Sequence, residues 1–159
     1  MRFFPKSIIG CFVLLFISSQ AFAQSNPLIG VWLTDVKSHL TIKACQEGLC
    51  GYITKVSIRP ELYEKNKQEI DKVGIQNAPD YFNKDPDLRS RRLLGLQILM
   101  LDKQEAPTIF SGKVYNPEDG KIYSGKLELI NYNQLRLTGC AYLGLICRSE
   151  DWYRISASR

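Results

Sequence analysis

Apolar and polar residues alternate along most of the chain, and this alternation predicts short β-strands. The clearest case is residues 39–44, where Leu40 and Ile42 share one face while Thr41 and Lys43 share the other. A strand with one buried face requires this period of two. Eight such segments are predicted, at residues 29–34, 39–44, 51–58, 94–101, 108–115, 121–130, 134–140 and 146–155.

Eight consecutive strands, mostly joined by short connections, favour an all-β fold, an eight-stranded up-and-down antiparallel barrel. Closure pairs the last strand with the first and so removes the exposed sheet edges. The interior of an eight-stranded barrel is either filled by side chains or just wide enough for one small ligand. Since no repeat or linker indicates a second domain, we expect one barrel domain over residues 24–159.

One polar segment, residues 57–92, interrupts the strand pattern. It predicts a short helix over residues 61–72, with Pro60 in its first turn, because proline is tolerated at that position. The remainder of the segment is predicted to be loop. Long loops inside compact domains are commonly functional, so we expect this helix and loop excursion to cover one mouth of the barrel.

The N-terminus has the three parts of a secretory signal peptide. Arg2 and Lys6 precede an apolar run at residues 8–17, which is followed by the small-residue site AFA. The run is shorter than the ~20 residues that a spanning helix needs. We therefore expect residues 1–23 to be removed after Ala23, and the protein to be periplasmic or secreted and not membrane-spanning. Lipoprotein processing at Cys11 is a weaker alternative, because it would leave much of the apolar run on the new terminus.

The charge of the chain gives little indication of a partner. Without Arg2 and Lys6 the 21 basic residues fall to 19 against 16 acidic ones, so the formal charge falls from +5 to +3. The densest basic cluster, residues 89–92, has no interleaved aromatic residues. A solvated surface is therefore favoured over a nucleic-acid site. No cofactor is predicted.

Four cysteines remain after the signal peptide, and they form two close pairs. Cys45 and Cys50 flank one short turn, and Cys140 and Cys147 flank another. Four cysteines allow three connectivities, and we favour the two local disulfides because facing strands bring such pairs within bonding reach. A zinc site is the alternative, but the six residues between Cys140 and Cys147 exceed the usual ligand spacing.

The sequence YNPEDGKIYSGKLEL places two carboxylates, Glu118 and Asp119, before Gly120. The turn chemistry of Pro117, Asp119 and Gly120 predicts a hairpin tip. A calcium loop would need further oxygen ligands at alternate positions, and none follow. The structural role is therefore favoured over a catalytic pair or a metal site, and no metal ligand is predicted.

Few residues are available for classical hydrolase chemistry. His39 is the only histidine, and no G-x-S-x-G elbow is present. Cysteines in disulfides cannot act as nucleophiles. An enzyme is therefore the least favoured class, although a carboxylate or tyrosine mechanism remains open.

The two ends of the predicted barrel carry matching motifs. Gly30 to Trp32 (GVW) lies in the first strand, and Trp152 to Arg154 (WYR) lies in the last. Because closure makes these strands neighbours, the Arg154 guanidinium can lie over the Trp32 indole. The pair resembles the closing feature of lipocalin and calycin barrels. The alternative is two ordinary buried tryptophans.

The mature chain also resembles a bacterial family, domain of unknown function 2147. The resemblance rests on GVW, CQEGLCG, DPDLRSRRLLG, GKVYNPEDGKIYSGKLEL, LRLTGC and WYR. It implies export and a calycin-like barrel, but no particular reaction. The positions to which it draws attention are Asp85, Arg92, Gly95, Tyr115, Asp119 and Tyr123.

These observations together predict a periplasmic barrel that binds a small apolar or amphipathic ligand. Arg92, Tyr115 and Tyr123 are the expected polar groups of its cavity. The alternative is a cell-envelope scaffold or interaction protein with a filled barrel and no ligand. A cavity of a few hundred cubic ångströms would favour the first, and a packed interior the second.

Overall fold

The computed structural model describes residues 26–157, and the predicted signal peptide and its cleavage site lie outside the described residues. Eight strands account for most of this part of the chain. They are Gly30–Leu33 (β1), His39–Cys45 (β2), Gly48–Lys55 (β3), Gln97–Ala106 (β4), Ile109–Asn116 (β5), Lys121–Asn131 (β6), Gln134–Ala141 (β7) and Ile146–Ala157 (β8).

The strands form a closed barrel in sequence order, in which every neighbouring pair is antiparallel. Pairing of β1 with β8 closes it, with Trp32 opposite Arg154. The predicted up-and-down barrel is confirmed. The third strand begins earlier than predicted, at Gly48. The fourth strand begins later than predicted, at Gln97, because the chain first turns at Gly95, which has a φ of 86°.

Residues 56–96, called the β3–β4 segment below, contain two short helices, Pro60–Lys65 (α1) and Lys67–Val73 (α2). The prediction of one helix over residues 61–72 was wrong. Asn66 has a φ of −123° and a ψ of 20°, outside the helical region, and its side-chain amide donates to the Leu62 carbonyl. A local side-chain bond of this kind competes with the helical backbone pattern and divides the helix.

The antiparallel order places the turns in two groups at opposite ends of the barrel. The β3–β4 segment and three turns, at residues 34–38, 117–120 and 142–145, lie at what we call the open end. The other turns, at residues 46–47, 107–108 and 132–133, lie at the closed end with residues 26–29.

The closed half of the barrel is packed with apolar side chains. Trp32 is fully buried, and the Arg154 guanidinium lies 4.1 Å from the centroid of its ring. Tyr132 lies on the same guanidinium at 4.6 Å, and the Arg154 Nη1 donates to the Ile29 carbonyl at 3.1 Å. Five leucines belong to the same buried core cluster as Trp32: Leu28, Leu40, Leu101, Leu127 and Leu135. Aromatic, cationic and backbone contacts therefore close this end.

Each end carries one disulfide. Cys45 is bonded to Cys50 at the closed end, and Cys140 to Cys147 at the open end. The predicted local pairing is confirmed. Because the four sulfurs are bonded in two pairs, none of these cysteines can supply a thiolate to the zinc site considered as the alternative.

Candidate functional site

A cavity of about 1010 Å³ occupies the open half of the barrel and continues beneath the β3–β4 segment. Its floor is the buried Trp152 ring. Inward-facing apolar side chains from five strands and the β3–β4 segment form its walls: Leu40, Ile53, Ile58, Ile98, Val114 and Leu137. The barrel is therefore filled at one end and hollow at the other.

Small residues on β6 and β7 help to leave the cavity free. Gly125 pairs with Gly139 across these strands, and both face inward beside Val114. A Cβ atom on Gly139 would lie 3.7 Å from the Val114 side chain, an ordinary van der Waals contact. Alanine is therefore accommodated at this position, and because Gly139 lines the cavity, a larger side chain would extend into it.

Glu150 is an acidic group on the inner wall. It precedes Trp152 by two residues on β8, and its cross-strand partner is the cavity-lining Leu137. The Trp152 indole N–H donates to its carboxylate. Burial is the main cause that raises the pKa of Glu150, and Asp35 and Glu118 raise it further. The inner surface therefore changes from apolar to acidic at this residue.

Arg59 connects the start of the β3–β4 segment to two turns of the open end. Its Nε donates to the Glu118 carboxylate at 2.8 Å, and its Nη2 donates to Asp35 at 2.9 Å. The bond to Glu118 is the largest cause that raises the pKa of Arg59. All three side chains line the mouth of the cavity. Glu118, predicted only to shape a hairpin, also holds the segment across that mouth.

Asp80 anchors the middle of the same segment to β5. Its side chain is fully buried and lies 2.8 Å from the Arg91 guanidinium. The Tyr115 hydroxyl donates to it at 2.6 Å, and the Asn83 amide donates at 2.9 Å. Burial and the bond to Asp80 raise the pKa of Tyr115 to about 12. Asp80 therefore accepts hydrogen bonds from three side chains, is shielded from solvent, and joins the segment to the barrel wall.

Gly120 allows the β5–β6 turn to approach this segment closely. Its φ is 67°, and a Cβ atom would lie 1.9 Å from the Phe82 carbonyl oxygen. A larger residue would have to displace the backbone of the segment. The predicted turn glycine therefore also determines how closely the segment packs on the barrel.

The predicted polar residues lie in different environments. Tyr115 and Tyr123 line the cavity, and the Tyr123 hydroxyl donates to Asp119, which raises the pKa of Tyr123. Asp119 also accepts from the Lys121 backbone N–H at 3.0 Å, as a turn former does. Arg92 is exposed and is absent from the cavity lining.

Sequence reasoning missed Asp80, Arg91 and Glu150. Only Glu150 had a usable signal, because the alternation of β8 places it on the same face as Trp152. No periodicity identifies Asp80 among the many charged residues of its segment.

No group of three metal-ligating residues occurs within residues 26–157. In the same part of the chain, no helix is both long enough and apolar enough to cross a membrane.

The closed eight-stranded up-and-down barrel is a lipocalin-like fold. A solved structure with this fold is protein HP1028 from Helicobacter pylori, described as belonging to the lipocalin family. It shares 22% sequence identity with this chain and has a TM-score of 0.62. The match covers 81% of this chain and 83% of that one.

The chain belongs to the family described as an uncharacterized protein conserved in bacteria, DUF2147, whose model matches residues 30–154. The resemblance seen in the sequence is thereby confirmed. Comparison with curated proteins finds no match.

Proposed function

We propose that this protein is an exported barrel that binds one small apolar or amphipathic molecule in the cavity at its open end. The observation that carries the proposal is the cavity of about 1010 Å³, with apolar walls and a charged mouth. Sites for small molecules are typically concave, mainly apolar and furnished with a few polar groups.

The apolar walls supply the main driving force for binding. Each CH₂ group moved from water into such a cavity contributes ~0.8 kcal/mol. A chain of about eight such groups therefore gains roughly 6 kcal/mol, which offsets the cost of association. The charged mouth then favours a ligand whose other end is polar.

The leader sequence and the disulfides support export. Disulfides persist in oxidising compartments, and this chain has one at each end of its barrel. We propose that cleavage after Ala23 releases one domain, residues 24–159, into the periplasm or the medium.

An envelope interaction protein is the second candidate. Large apolar side chains are exposed at the open end, including Ile122, Tyr142, Leu145 and Ile146. A partner could cover such a surface. The open half of the barrel is not filled, however, so the first candidate accounts for more of the structure.

A cavity-filling substitution tests the ligand-binding proposal. We expect the neutral fluorophore N-phenylnaphthylamine to bind the wild-type protein at a single saturable site. Gly139→Leu should abolish binding because its side chain enters the cavity, whereas Gly139→Ala should retain it. Fluorescence titration measures the affinity, and melting curves check that both variants are folded.

The result against the proposal is either no saturable binding by the wild-type protein or undiminished binding by folded Gly139→Leu. Native mass spectrometry of protein purified from its own cell envelope provides an independent search for a retained small molecule.

A further inference from the structure

We propose that the cavity selects amphipathic molecules with a cationic amine head group, and that Glu150 is the residue that binds this group. The inference rests on the proposed function and specifies the chemical class of its ligand.

The position of Glu150 fits the boundary between the two parts of such a molecule. Trp152, two residues deeper on β8, forms the buried apolar floor. Arg148, two residues nearer the open end, is exposed at the mouth. An apolar chain that packs on the floor therefore places its head group beside the Glu150 carboxylate.

The charges around Glu150 are unbalanced. Asp35, Glu118 and Arg59, from two turns and the β3–β4 segment at the open end, line the same cavity. The Arg59 guanidinium already binds both Asp35 and Glu118. No ion pair of Glu150 occurs within residues 26–157, where its one side-chain hydrogen bond comes from Trp152. The cavity lining as a whole carries four acidic side chains, Asp35, Glu118, Asp119 and Glu150, against three basic ones, Arg59, Lys121 and Arg148, and so has one negative charge in excess.

An ammonium group satisfies this arrangement better than the other head groups. It provides several N–H donors and the missing positive charge, and charge-assisted hydrogen bonds are about twice as strong as neutral ones. A carboxylate head group would instead be repelled by Glu150. Among the described residues of the cavity lining, an anion would find three cations, Arg59, Lys121 and Arg148. Arg59 is already bound to two carboxylates, and the other two are exposed at the mouth.

Three probes with the same dodecyl chain test the inference: dodecylammonium, dodecanol and dodecanoate, each below its micelle-forming concentration. Indole fluorescence reports binding, because Trp152 contacts both the cavity and Glu150. We expect the wild-type protein to bind dodecylammonium about tenfold more tightly than dodecanol, and dodecanoate most weakly. Glu150→Gln should remove the preference for dodecylammonium over dodecanol.

Glu128→Gln is the matched control, because Glu128 lies on β6 opposite Arg136 and is not part of the cavity lining. It should leave all three affinities unchanged. The wild-type protein offers a second readout that needs no variant. Because burial raises the pKa of Glu150 above its ordinary value of 4.5, its charge appears only as the pH rises past that value. The affinity for dodecylammonium should therefore increase with pH over this window, while that for dodecanol stays constant.

The outcomes separate the two proposals. Equal binding of the three probes, tighter binding of dodecanoate, or a preference that survives in Glu150→Gln would overturn the inference and leave the proposed function standing. Failure of all three probes to bind saturably would overturn the proposed function and the inference with it.

Discussion

The two ends of the barrel use arginine in opposite ways. At the closed end, Arg154 lies over Trp32 and donates to backbone carbonyls, and burial lowers its pKa. At the open end, Arg59 binds two carboxylates, chiefly Glu118, and its pKa is raised. One type of side chain, arginine, therefore completes a packed apolar layer at the closed end and a network of charges around the cavity at the open end.

This difference indicates a division of labour along the barrel axis. Apolar packing gives the larger share of stability, since buried aromatic side chains each contribute several kcal/mol while partly exposed ion pairs contribute little. A cavity removes packing, so the open end has less of it. We expect substitutions at the closed end to affect mainly stability, and those at the open end to affect mainly the β3–β4 segment and binding.

The largest expected effect is at the closed end. Trp32→Ala should lower the free energy of unfolding by ~3 to 5 kcal/mol, because it removes a fully buried indole and leaves a void. Urea denaturation measures this. Tyr132→Ala is the control, since Tyr132 contacts the same guanidinium but is 61% exposed. A comparable loss in both variants would show that burial does not distinguish the two aromatic residues.

An intermediate effect is expected where the segment is anchored. Asp80→Asn should cost ~2 to 4 kcal/mol, because it leaves Arg91 without its counter-charge and disturbs the bond from Tyr115. Limited proteolysis should cut within residues 56–96 faster than in the wild-type protein. Asp87→Asn, an exposed acid in the same segment, should change neither quantity. Unaltered proteolysis in Asp80→Asn would argue against this anchor.

The smallest expected effect is at the rim of the cavity. Glu118→Gln should cost at most ~1 kcal/mol, because its ion pair with Arg59 is partly exposed. Melting curves with calcium and with a chelator should coincide. Glu64→Gln, in an exposed pair on the helices, provides the baseline for a surface change. A calcium-dependent shift that disappears in Glu118→Gln would replace the ion-pair interpretation with a metal site.

The sequence can predict those features of the site that depend on neighbouring residues of one strand, but not those that depend on contacts between distant segments. Alternation along β8 could have placed Glu150 on the same face as Trp152, but no local pattern brings it near Asp35 and Glu118, which come from other turns. The basic cluster at residues 89–92 was visible in the sequence. Which of its arginines would contact the barrel was not, because that depends on the path of a segment without a periodic pattern.

The sequence by itself predicted the strand number and the closure of the barrel, and it favoured the local disulfide pairing and the contact of Trp32 with Arg154 over their alternatives. Each follows from alternation, from short spacing, or from the adjacency of first and last strands that closure imposes. Only the tertiary structure decided that Asp80 is buried, that Arg91 rather than Arg92 pairs with it, and that the open half of the barrel is hollow. These features depend on contacts between residues distant in the chain, where the free energy of burying a charge depends on all the donors that meet it.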